Sequence, residues 1–126
     1  MKVSTYLATS GVLALLFGLV FLLVPEFSVQ QYGVPADPYV LVEVRYFGSM
    51  LLTYGLIFWC ARGTRDDLTL RSLLLGAVVG NFFGLVISAW AALTGLQNAM
   101  AWSSVGIYAL LLLGAAYFLS SPGRRV

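Results

Sequence analysis

The sequence predicts an all-α fold, a polytopic membrane four-helix bundle in one domain covering residues 1–126, with both termini in the cytoplasm. Three observations carry that expectation. The chain is 60% hydrophobic and 10% charged, with a mean hydropathy of +0.92. Soluble domains run nearer 45–50% apolar and about 25% charged. Its apolar runs reach the length of about 20 residues that a spanning helix needs. Its basic residues cluster on one side of those runs, as retained cytoplasmic charges do.

The first span is read over about residues 5–24, "TYLATSGVLALLFGLVFLLV", and Pro25 ends it. Lys2 precedes it, but the run is longer than a secretory h-region and no A-x-A-like cleavage site follows, so it reads as a retained helix. The second span covers about residues 39–61. From Ser72 to Gly123 the chain carries no charge. At helical rise this stretch would extend about 78 Å, too far for one crossing, so it must fold back. "TGLQN" (94–98) is its only polar, turn-like interruption. The third span is therefore placed at about 70–93 and the fourth at about 99–120.

Orientation follows from the cations. Lys2 precedes the first span, Arg62, Arg65 and Arg71 flank the 62–71 loop, and Arg124 and Arg125 close the tail. The loops at 25–38 and 94–98 hold no Lys or Arg. These charges place the termini and the 62–71 loop inside. Trp59, Trp90 and Trp102 fall where an interfacial belt would lie. In the 25–39 loop, Phe27, Val29 and Tyr32 could face lipid if "FSVQQY" lies flat, or the segment could be a plain connector. In "RGTRDDLTLR" (62–71), Asp66, Asp67 or Thr69 is expected to cap the third span.

Lipid tails give helices no hydrophobic reason to associate, so close contact through small residues has to hold a bundle together. Ser72, Gly76, Gly80, Gly84, Ser88 and Ala92 recur every four residues on the third span. Ser10, Ala14 and Gly18 do so on the first, and Gly48 and Gly55 mark the second. These positions are expected to pack spans together within one chain, or to form the seam of a homo-oligomer.

One cation interrupts the pattern. "VEVRYFGSM" (42–50) places Glu43 and Arg45 about 200° apart on a helix, so they cannot pair face to face. Arg45 begins a stripe with Ser49 and Thr53, about 9 Å deep if Tyr39 marks the boundary. At the same depth the other spans offer Ser88, Ser103 or Ser104, and Tyr108, with Asn81 deeper on the face of Ser88. The expectation is an outer-half ligand-binding cluster of Arg45, Ser49, Asn81, Ser88, Ser104 and Tyr108. Glu26, Asp37 or Glu43 is the possible counter-charge. The competing expectation is that Arg45 snorkels to lipid phosphate and only sets depth.

The run "EVRYFGSMLLTYG" (43–55) resembles the second-helix signature of DoxX-like small bacterial four-helix membrane proteins, including related domains of unknown function. Those proteins show an acidic residue, an Arg, a Gly pair and a later Gly after a Pro-ended first helix. Glu43, Arg45, Gly48 and Gly55 match, and Ser49 stands where a second Gly is frequent. The resemblance implies a monomer-type bundle of the bacterial inner membrane with an accessory or small-molecule-linked role, and it carries no catalytic residue. The chain departs from other small membrane families. It lacks a mid-membrane Glu in its first span, the broken Ser/Thr-rich third helix of fluoride channels, and the cysteine pair of epoxide reductases.

The chain has no His and one Cys, Cys60. That removes the commonest general base and metal ligand, so no metal, no cofactor, no nucleic acid partner and no catalysis are expected. The leading expectation is a bundle that binds membrane lipid or another apolar small molecule, or serves as an accessory subunit to a membrane protein. The alternatives are an oligomeric channel or transporter joined along the small-residue face of the third span, and a membrane enzyme.

Overall fold

The structure is a computed structural model that describes residues 1–121; Arg124 and Arg125, used above for orientation, lie outside the described residues. Among the described residues the chain forms α1 (Val3–Leu23), α2 (Pro25–Gln31), α3 (Pro38–Ala61), α4 (Asp67–Leu93) and α5 (Ala101–Ser120). All but α2 are long and apolar enough to cross a membrane. The molecule is thus an all-helical bundle of multi-pass membrane type.

Helix ends follow local chemistry. Pro25 ends α1 and also opens α2 at its first position, where its fixed φ suits a helix and its missing N–H loses nothing. The junction is stitched by the Ser28 hydroxyl, which donates to the Val24 carbonyl (3.0 Å) and more weakly to that of Val20 (3.4 Å). Asp37 caps α3 by accepting from the Tyr39 amide at 2.8 Å. Asp66 caps α4 by accepting from the Thr69 amide at 2.8 Å, and from its hydroxyl. That cap starts α4 at Asp67, a turn earlier than hydropathy implies.

The helices associate as two antiparallel pairs, α1 with α3 and α4 with α5. The first pair is built on glycine. A Cβ on Gly11 would lie 3.0 Å from the Gly55 carbonyl, and one on Gly18 2.9 Å from that of Gly48. Reciprocally, Gly48 and Gly55 face the α1 backbone at 2.9 Å. In the second pair the Tyr108 ring lies across Gly84.

We refer to the end carrying Val3, Ala61, Asp67 and Ser120 as the near end. There the two pairs meet in a core of Tyr6, Leu7, Phe58, Leu70, Leu74 and Phe118. The Tyr6 ring rests on Gly114 and its hydroxyl donates to the Leu111 carbonyl at 2.9 Å. At the far end Asn98 does the joining. Its amide N–H donates to Tyr32 O (2.9 Å), its side-chain Nδ2 to Gln31 O (3.0 Å), and its Oδ1 accepts from Met100 N (2.9 Å). Gly33, at φ +68°, brings the chain against Asn98.

Between these ends α3 and α4, although consecutive, do not pack along each other. Two expectations change here. Gly76 and Gly80 are not packing positions within the chain, since a Cβ on either would meet nothing within 4 Å. The 25–31 segment is helical, with Val29 buried and Tyr32 turned inward to Ser104; of the three residues expected at lipid, only Phe27 is exposed.

Candidate functional site

The gap between the pairs is a cavity of about 900 Å³ that runs through much of the bundle. Its walls are mainly aliphatic and aromatic. Ser10, Phe17 and Phe21 come from α1, and Val44, Phe47, Leu51, Tyr54 and Phe58 from α3. Gly76, Gly80, Asn81 and Ser88 come from α4, and Ser104 and Tyr108 from α5. Among the described residues no Asp, Glu, Lys or Arg lines it. The near-end core closes one end. At the other, Val29 and Tyr32 reach in from α2 and its C-cap, and the Tyr32 and Ser104 hydroxyls share a hydrogen bond of 2.9 Å.

The polar groups are sparse and set apart. Asn81 is buried, and its Nδ2 donates to the Ala77 carbonyl at 2.8 Å. The Tyr54 hydroxyl is within reach of the Asn81 and Ser10 side chains. Yet neither Tyr54 Oη nor Ser10 Oγ completes a hydrogen bond. Thus α1, α3 and α4 each bring one polar side chain to the same region of an otherwise apolar wall.

Asn81, Ser88, Ser104 and Tyr108 therefore share one cavity, as the depth argument expects. Arg45 and Ser49 do not join them. Both line a shallow outer groove with Leu22, Val42 and Tyr46, and Arg45 is exposed. The Ser49 hydroxyl donates to the Tyr46 carbonyl at 2.8 Å instead of reaching inward.

The physical reason is the glycine seam. Once Gly48 and Gly55 face α1, Arg45, Ser49 and Thr53 fall on the outer flank of α3. Val44, Phe47, Leu51, Tyr54 and Phe58 fall on the cavity face, and their alternation of three and four residues marks a helix face. No counter-charge meets Arg45 among the described residues. Asp37 is engaged as a cap, and Glu26 and Glu43 are exposed.

Sequence reasoning missed Tyr54 and Tyr32 as site residues and read Ser10 only as a small packing residue. The three-four spacing on α3 is the signal that finds Tyr54. Tyr32 needs α2 to be recognised as a helix. Among the described residues no cluster of His, Cys, Asp or Glu could hold a metal ion.

No protein-family model, curated protein or solved structure matches the chain.

Proposed function

We propose that this protein is a non-catalytic, multi-pass component of the bacterial inner membrane. It holds a lipid or another apolar small molecule in the slot between the α1/α3 and α4/α5 pairs, acting alone or as an accessory subunit. The observation that carries this reading is the cavity. At about 900 Å³ it falls in the range of small-molecule sites, and it has their usual make-up of apolar walls with a few polar groups. Lys2, Arg62, Arg65 and Arg71 at the near end support a cytoplasmic location for that end and both termini. The DoxX-like reading rests on residues 43–55. Within it, Arg45 becomes a headgroup anchor on the outer flank, about 10 Å along α3 from Pro38 by helical rise.

The test is native mass spectrometry of the protein released from mild detergent, with extraction and identification of whatever travels with it. A co-purifying apolar molecule should be lost in Gly80→Trp, which fills the slot, and kept in Arg45→Leu. Retention in Gly80→Trp would remove the slot from consideration.

A second reading draws on one feature: Gly76 and Gly80 are exposed on α4 with open space beside them. A second copy seated there would make a homo-oligomeric channel or transporter. The same spectra decide it, since a defined dimer or ring would favour this reading over a single chain.

A further inference from the structure

Resting on the slot reading above, we infer that Ser10, Tyr54 and Asn81 form a head-group site for an uncharged amphiphile. Its hydroxyl or carbonyl sits among the three side chains, and its hydrocarbon body lies along the slot toward Tyr32.

Ser10 is the first indication. It is 1% exposed and its hydroxyl has no partner. Serine and threonine in a membrane helix ordinarily turn back onto a carbonyl of the preceding turn. Ser49, Thr53, Ser72 and Ser120 all do so. Ser10 does not, and it lines the cavity. The Tyr54 hydroxyl, from the facing helix, is buried and also without a partner. Asn81, 7% exposed, uses its Nδ2 on Ala77 O and lies within reach of the Tyr54 hydroxyl. Buried polar atoms are normally satisfied, so two unpartnered hydroxyls on facing helices, with Asn81 of a third helix beside them, call for a further polar group between them.

The inventory of those valences selects the ligand. Two hydroxyls can each donate or accept, and an amide oxygen only accepts. A ligand hydroxyl can donate to Asn81 Oδ1 while accepting from Tyr54, and a carbonyl can accept from both Tyr54 and Ser10. A carboxylate or phosphate is excluded on energetic grounds. No cation among the described residues lines the cavity, and an unpaired charge in apolar surroundings is strongly disfavoured. The slot has length for a long-chain body: from Tyr54 to Val40 along α3 is about 21 Å by helical rise, and both residues line the cavity.

The experiment uses the full chain in phosphatidylcholine nanodiscs. Four probes each carry a mid-chain diazirine: tetradecanol, 2-tetradecanone, tetradecane and tetradecanoate. Photolabelling of slot residues is mapped by mass spectrometry and normalised to each probe's concentration in the bilayer. The alcohol and ketone should label the slot at concentrations roughly 3- to 10-fold lower than the alkane, the increment of one or two net hydrogen bonds. Tetradecanoate should be the weakest. Tyr54→Phe and Ser10→Ala should each bring the alcohol toward the alkane without changing alkane labelling, which also reports that the variants are folded.

Equal labelling by alcohol, ketone and alkane in the wild type would overturn the head-group site and leave the slot reading intact. Strongest labelling by tetradecanoate would overturn the requirement for an uncharged head. Labelling by every probe that survives Gly80→Trp would overturn the slot itself.

Discussion

Glycines that look alike in the sequence do different things here. Gly48 and Gly76 both sit mid-helix in small-residue patterns. A Cβ at Gly48 would lie 2.9 Å from both Gly18 O and Leu22 N, and these are backbone atoms that cannot swing aside. Gly48→Ala should therefore destabilise the fold by about 1–3 kcal/mol, the usual magnitude of overpacking. Gly76→Ala meets nothing within 4 Å and gains helix propensity, so it should be neutral or up to about 1 kcal/mol stabilising. Titration with a denaturing detergent, followed by helical circular dichroism, measures both.

Asp66 lends itself to a pH experiment. Its hydrogen bond from the Thr69 hydroxyl, and secondarily that from the Thr69 amide, hold its carboxyl below the ordinary carboxylate range. A pKa lowered by folding adds stability above the unfolded value of about 3.9, and that stability disappears as pH falls through the lower folded value. Asp66→Ala should thus melt below the wild type at neutral pH. The difference should close in acid, as thermal scans at the two conditions would read out.

At the scale of elements, the existence of the long helices is legible from hydropathy, while their pairing is not. Four apolar runs announce themselves because the bilayer demands about 20 residues each. Which faces meet depends on Gly11 opposing Gly55 and Gly18 opposing Gly48, a register between segments some 30 to 44 residues apart. Gly55 and Gly48 are visible as small residues, but nothing local says that α1 lies against them. The misplacement of Arg45 follows from this. A lone cation in an apolar run draws attention inward, whereas the face carrying Val44, Phe47, Leu51, Tyr54 and Phe58 had the better claim to the interior. α2 is hidden for another reason: Pro25 reads as a stop and is equally a start.

The far-end joint gives this scale its prediction. Asn98→Ala removes the side-chain bonds to Gln31 and Met100 while leaving the backbone bond to Tyr32. Amide exchange should quicken over residues 31–34 and 98–103 and stay unchanged around Tyr6 and Phe118. Uniform exchange across the molecule would show that Asn98 is not what closes that end.

For the molecule as a whole, the layout is two tight pairs tied at their ends and parted in the middle. The cavity is the consequence of that layout. Its polar wall is partly legible in the sequence, because Asn81, Ser88, Ser104 and Tyr108 fall in related layers of adjacent spans. Ser10 and Tyr54 are not legible as partners, because their meeting requires α1, α3 and α4 to be placed together in three dimensions. That no Asp, Glu, Lys or Arg among the described residues lines it is likewise a property of the assembled walls.

The turn between Ala61 and Asp67 links the pairs by chain alone, and Gly63 at its tip is exposed with open space around it. Each pair has its own adhesive, glycine against backbone in one and Tyr108 over Gly84 in the other. Spanning helices form independently before they associate, so the polypeptide should be divisible at this point. Residues 1–63 and 64–126, produced as two separate fragments in one cell, should find each other in the membrane and be recovered together on a tag carried by either.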